Sequence, residues 1–215
     1  MTDISKALGF SDEDRAAIAR AIAEAEQTTS GEIVVVASAA SDGYRSFGLL
    51  WSALVALAVP LPLIYFTGWS LDQVYVAELV AFFVLAAISQ IPAVRYRLVP
   101  PFIRREVVHR AASEQFLAQN LHTTDGRTGI LIYVSFAEHI AEVIADEGIY
   151  AKVDEAVWDE IVARLTGHLG RGHPREAFLE AIEKSGAVLA EHFPPGAIDH
   201  NELPNHLIVL DGSRP

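Results

Sequence analysis

The chain has 215 residues, with 16 Lys+Arg against 28 Asp+Glu, 8 His, no Cys and a formal net charge of −12. So acidic a chain is a poor counter-ion for a phosphate backbone, which argues against nucleic acid as a partner. The lack of cysteine excludes disulfides, thiolate zinc sites, iron–sulfur clusters and cysteine nucleophiles, and leaves the redox compartment open.

The first residues, Met1-Thr2-Asp3-Ile4-Ser5-Lys6, lead into a polar, acidic stretch that runs to Gln27. A secretory signal needs a basic start and an apolar run, so any membrane attachment is expected through internal segments. Ser11 to Gln27 reads as a helix. Ser11 and Asp14 form a shortened capping box, and Ile18 and Ile22 with alanines 17, 21 and 25 make a thin apolar stripe. Thr28 to Gly31 stops it. Glu32 to Ser38 (EIVVVAS) is β-branched without alternation, the pattern of a strand covered on both faces.

Between Gly48 and Ile91 the ionisable groups other than tyrosine are Asp72 and Glu78. Leu49 to Phe66 and Val74 to Ile91 are each about 27 Å long as helices, close to the ~30 Å of a bilayer's hydrocarbon core. With Thr67 to Gln73 between them, they predict a transmembrane helical hairpin over 48–92, with the lipid bilayer as its solvent. Arg45 precedes the first span; Arg95, Arg97, Arg104 and Arg105 follow the second; the connecting loop carries Asp72 and no basic residue. The positive-inside rule then makes the chain a multi-pass protein of the bacterial inner membrane with both termini cytoplasmic. Glu78 is an intramembrane polar group about one turn into its helix. With Pro60 and Pro62 at comparable depth on the first helix, it reads as a kinked, snorkelling rim near the outer interface.

Pro100-Pro101 opens the second part of a discontinuous cytoplasmic domain, 1–44 and 98–215. A helix is predicted from Phe102 to Leu121, with Val107, Val108, Ala111, Ala112, Phe116 and Leu117 inward; His109 and His122 flank it as satisfied or solvated groups. Thr123 to Arg127 (TTDGR) is a turn, Gly129 to Ser135 (GILIYVS) a second strand, Phe136 to His139 another turn, and Ile140 to Asp146 a third strand. A right-handed helical crossover makes the first two strands parallel and the hairpin partner antiparallel. Asp154 starts a helix with Val157, Trp158, Ile161, Val162 and Leu165 on one side. Gly167 to His173 is read as a loop, and a last helix begins at Pro174 with Phe178, Ile182 and Leu189 facing inward. Pro194-Pro195-Gly196 ends it. The tail holds NELP (Asn201 to Pro204) and a late strand, His206 to Leu210. The fold class is α/β, a small mixed sheet with helices on both faces and a two-helix insertion after the first strand.

Several strings in this order resemble the TPM domain family: the AE…TSGEIVVV entry (Ala25, Glu26, Thr29 to Val36), the RTGILIYVS strand (Arg127 to Ser135) with its return, the Gly148…Val153-Asp154-Glu155-Ala156 run, and Phe193-Pro194 closing the last helix. The matching stretches run from Ile18 to Ser38 and from Arg104 to Phe193. The resemblance implies an αβα sandwich. The family includes thylakoid-lumen proteins tied to photosystem repair and bacterial membrane-anchored proteins, and acid phosphatase activity and divalent-metal binding are ascribed to it. Two features depart from its pattern. The usual member has a secretory signal and an extracytoplasmic domain, whereas here a membrane hairpin interrupts the domain and arginines place it inside. The family's Gly-Leu-Glu turn reads Gly148-Ile149-Tyr150, without its acid.

The chain has no GxxxxGK[ST], GxSxG or HExxH string. Leu207 to Gly212 (LIVLDG) lacks the second aspartate of a phosphoryl-transfer strand, since Ser213 stands there. Backbone N–H groups at the Pro174 helix start, with Arg171, His173 and Arg175, form a candidate anion site. Asp125, Asp146, Glu147 and Asp154 gather at one sheet edge with Glu32 and Arg127, a candidate site for Ca²⁺ or Mg²⁺. The bland alternative has Asp154 capping a helix, Glu32 pairing with Arg127 and the other acids solvated. Three functions follow: a binding or accessory protein holding a protein partner or ligand near the membrane, a weak divalent-metal-dependent acid phosphatase, or a small oligomeric transport component using Glu78.

Overall fold

The computed structural model describes residues 6, 8–124, 126–195 and 203–212. Asp125, Gly196 and the Asn201-Glu202 start of NELP lie outside the described residues. The chain divides into two compact units, Met1–Ser41 with Arg105–Pro215, and Asp42–Arg104.

In the first unit, α1 (Asp12–Glu26) starts at Ser11, whose Oγ accepts the Asp14 N–H at 3.1 Å while the Asp14 carboxylate accepts the Ser11 N–H at 2.9 Å. β1 (Glu32–Ser38) is buried along its whole length. β2 (Gly129–Ser135) pairs parallel with it in the register Glu32↔Gly129 to Ser38↔Ser135. β3 (Ile140–Ala145) pairs antiparallel with β2, and β4 (Leu207–Leu210) adds parallel to the free side of β1, giving the order β3-β2-β1-β4. The fold is thus α/β with a small mixed four-stranded sheet.

The full burial of β1 and β2 has a simple cause: each face meets a helix layer. Ile33, Val35, Ala37, Ile130, Ile132 and Val134 share one core with α1, α8 (Glu155–Gly170) and α9 (Pro174–His192). Val34, Val36, Leu131 and Tyr133 share the other with Val108, Ala111, Ala112 and Phe116 of α6 (Pro101–Ala118). On α6 Val108, Ala111, Ala112 and Phe116 of the expected inward set are buried, whereas Val107 is half-buried and Leu117 is 56 % exposed. On α8 the buried residues are Trp158, Ile161 and Leu165. That helix also overruns the expected Gly167–His173 loop, ending at Gly170. Glycine costs an internal helical position only about 1 kcal/mol, and Leu165 and Leu169 packed in the core hold the last turns in place.

The second unit contains α2 (Arg45–Ala58), continued after Val59 by α3 (Pro60–Phe66), then α4 (Leu71–Ser89) and the short α5 (Pro92–Leu98). Both long helices begin earlier than hydropathy suggests, at Arg45 and Leu71. Ser70 donates its N–H to the Gln73 side chain at 3.0 Å and fixes the start of α4. Pro60 and Pro62 lack the N–H groups that would continue the helical ladder; Val59 N–H bonds Ala56 O at 3.0 Å there in a tightened turn. Gly48 is the close-approach point: a Cβ on it would lie 2.6 Å from Ser89 Oγ. α5 belongs with the hairpin rather than with a linker, since Trp51 Nε1 donates to Leu98 O at 3.1 Å and the Tyr44 and Tyr96 rings meet edge to face at 5.8 Å. The compact unit therefore runs 42–104, wider than 48–92.

Candidate functional site

Of the acids expected at the amino-terminal edge of the parallel strands, Asp146 is placed there beside the start of β2, and Asp146 and Asp154 have separate tasks. Asp146 follows β3, with its N–H on Gly129 O at 2.9 Å. One of its oxygens accepts the Glu147 N–H at 2.7 Å and caps α7 (Glu147–Tyr150). The Arg127 guanidinium stands 3.8 Å from the same oxygen, while Asp146 Oδ2 is buried without a hydrogen-bond partner. Asp154 caps α8 by accepting the Ala156 N–H at 3.0 Å, and Glu147 is exposed. Asp125 lies outside the described residues. Among the described residues no three His, Asp or Glu side chains converge as a metal set. One orphaned oxygen beside an arginine does not amount to the several converging oxygens that Ca²⁺ or Mg²⁺ requires.

The anion candidates are also dispersed. Arg175 lies 3.3 Å from Asp14. His173 is 3.9 Å from Glu176 and exposed, and Arg171 ends α8 in the αR conformation, exposed. Carboxylates thus face two of the three groups expected to hold an anion. Asp14 benefits in turn. Hydrogen bonds from Ser11, with help from Arg175, hold its carboxyl below the ordinary aspartate value of 3.8. Nearby, burial works against ionisation of Glu180, but hydrogen bonds from His168 and Arg164 outweigh it and lower its carboxyl, tying α8 to α9.

Glu78 is half-buried on the α4 stripe that carries buried Val74 and Ser89. The Gly48–Ser89 contact puts the two antiparallel helices in step, and equal rise per residue then sets Glu78 opposite the Val59–Pro60 break. Glu78 and the Pro60/Pro62 pair thus lie at comparable depth along the two helices.

The site that the sequence did not reveal lies at the opposite, carboxyl-terminal edge. Central β1 has parallel neighbours on both sides, so its carboxyl end is a topological switch point, where α/β sheets place their ligand crevices. Glu138, in the β2–β3 turn, is 1 % exposed. Its carboxylate accepts the Ser41 N–H at 3.1 and 3.2 Å and the Ser135 hydroxyl in a short bond. Ser41 Oγ donates to Ser135 Oγ at 2.9 Å and meets Tyr133 OH at 3.1 Å. With Ser41 donating onward, Tyr133 must donate to Ser41, so the hydroxyls form one directed chain ending on the carboxylate. Beside it opens a cleft of about 170 Å³ lined by Ser38, Ser41, Gln115, Tyr133 and Asp211.

Ser41 and Ser135 are 4 % and 0 % exposed, enclosed beside the Glu138 carboxylate. The geometry orders the loop leaving β1 and offers hydroxyl, amide and carboxylate groups to a small polar ligand. The sequence signal was faint. Ser38 and Ser135 each close an apolar strand at the same register level, but only the pairing of β1 with β2 puts them side by side.

No family model and no curated protein matches the chain. Among solved structures, the chain is similar to the NMR structure of BA42 protein from the psychrophilic bacterium Bizionia argentinensis, at 22% sequence identity and a TM-score of 0.59, covering 93% of this chain and 94% of that one. At that identity the likeness extends to the fold alone.

Proposed function

We propose that the protein is a membrane-anchored, TPM-like binding or accessory protein of the bacterial inner membrane. Residues 45–66 and 71–89 form a bilayer-spanning hairpin, and the α/β unit, an αβα sandwich on the cytoplasmic side, takes a polar ligand or partner segment at its carboxyl-terminal edge. The observation that carries the anchor is exposure. Of 23 exposed large apolar side chains among the described residues, 20 lie between Leu49 and Ile91, with Tyr65, Phe66 and Leu71 above 80 %. A core helix of a water-soluble protein is enclosed by its own chain, whereas these two spans are only 17% and 6% buried. Burying a large apolar side chain is worth about 1.5–3 kcal/mol. Leaving a score of them half in water would therefore cost more than the ~5–15 kcal/mol that stabilises an ordinary domain. Lipid removes that cost. The arginines at the outer ends of the spans, against Asp72 alone in the loop, support the orientation.

The binding role rests on the polar cleft and on the burial of its serines, which favours recognition over turnover. Single-cysteine labelling tests the anchor, because the chain has no native cysteine to remove. A Ser70→Cys variant should react with an impermeant maleimide in intact cells, and an Ala137→Cys variant only after lysis. Labelling of both in intact cells, or recovery of the chain from a detergent-free supernatant, rejects the anchor.

A further inference from the structure

We propose that the arginine-bearing end of the hairpin unit binds the phosphate of an anionic phospholipid, with Arg45, Arg95 and Arg97 as its principal ligands and Arg104 as a fourth charge. This rests on the membrane reading and goes beyond it, since an anchor needs no lipid preference. α5 folds back on the start of α2: the Tyr44 and Tyr96 rings meet at 5.8 Å, and Trp51 Nε1 reaches Leu98 O at 3.1 Å. Arg45 follows Tyr44 in the chain and the Arg95 guanidinium lies 5.5 Å from the Tyr96 ring centroid, so these two arginines belong to the aromatic step, with Arg97 two residues further along the same short helix. Arg45 and Arg97 are exposed. Among the described residues none of the four arginines makes an ion pair.

The Nε groups of Arg95 and Arg104 are moreover enclosed without any hydrogen-bond partner. The guanidinium fork grips phosphate through two bonds at once, which the terminal nitrogens of the exposed Arg45 and Arg97 are free to make. Asp42 is the acid at this end of the unit, and its carboxylate accepts the Tyr44 N–H at 2.8 Å. The ligand must carry an anionic head and an apolar body, because the cationic cluster stands directly on the helices that hold the exposed apolar side chains, with Trp51 at the junction. A phospholipid of net negative charge has that chemistry.

The test uses the full chain reconstituted into vesicles of equal parts phosphatidylcholine and phosphatidylglycerol, extracted into mild detergent and analysed by native mass spectrometry for retained lipid. Phosphatidylglycerol should be enriched over phosphatidylcholine. The enrichment should fall about fivefold for each arginine replaced in Arg95→Gln and Arg97→Gln, the fold-change expected per basic group at an anionic surface. Arg171→Gln, in the other unit, should leave it unchanged. Insertion of the wild-type chain without enrichment, or equal enrichment in the double variant, overturns the proposal and leaves the anchor standing. Loss of the retained lipid to inorganic phosphate at matched concentration also overturns it, by assigning the cluster to soluble phosphate. A chain that does not insert into either lipid overturns the anchor and the lipid site together.

Discussion

Replacing Glu138 by alanine is the sharpest perturbation of the carboxyl-edge network. Glu138 accepts the Ser41 N–H and the Ser135 hydroxyl while 1 % exposed. Hydrogen bonds to a charged group are worth about 1.5–3 kcal/mol each, and the cost of burying the carboxylate offsets part of that gain. In Glu138→Ala the Ser135 hydroxyl can rotate toward another acceptor. The Ser41 N–H cannot, and an orphaned buried donor costs about 1–3 kcal/mol. The net loss should be ~3 kcal/mol, which for a unit of this size lowers the unfolding midpoint by roughly 6–12 °C. Glu138→Gln keeps one acceptor oxygen and should lose about half as much.

The assay is thermal unfolding of the full chain in detergent, followed by near-UV circular dichroism. A double-mutant cycle with Ser135→Ala should return a coupling of at least about 1 kcal/mol. Glu160→Ala is the control: that side chain is 62% exposed in its pair with Arg164, and such pairs contribute at most ~1 kcal/mol. If Glu138→Ala destabilises no more than Glu160→Ala, or the cycle shows no coupling, the carboxylate does not organise this edge and the cleft loses its support.

Ser11→Ala removes the cap of α1 and should cost ~1 kcal/mol at neutral pH. Because the folded Asp14 carboxyl lies below 3.8, its share of that stability is complete above 3.8 and is lost as pH falls through the lower folded value. Urea unfolding in acid should therefore show a smaller gap between variant and wild type than at neutral pH; an unchanged gap denies the carboxylate its part. Gly148→Ala places a Cβ 2.5 Å from Gly126 O and 2.6 Å from Arg127 O, two backbone atoms with little freedom to yield. A loss of about 1–3 kcal/mol is expected from unfolding curves. Gly48→Leu should separate α2 from α4 at Ser89, read as faster proteolysis of the hairpin in vesicles. Calcium added to saturation should leave the unfolding midpoint unchanged; a rise that disappears in Asp146→Asn would put a cation at the amino-terminal edge after all.

The sequence by itself determined the elements whose cause is local. The Ser11 box starts α1, unbroken β-branched runs mark β1 and β2 as doubly covered strands, and the Phe136–His139 turn returns β3 antiparallel. The two long apolar stretches, with Glu78 the one charge within them, are legible as helices long enough to cross a bilayer, a matter of composition and length. What required tertiary structure was everything set by convergence. The acids at the amino-terminal edge are close in the chain and along the strands, yet Asp146 and Asp154 each cap a helix, because a carboxylate takes the nearest backbone donor. Gly167 and Gly170 read as loop residues, but core contacts made by α8 outweigh their weak helix preference. Glu138 sits within the Phe136–His139 turn, where the sequence carries no sign of burial. Its burial depends on Ser41, 97 positions away in sequence, and only the parallel pairing of β1 with β2, on either side of the hairpin insertion, brings that backbone donor to the carboxylate.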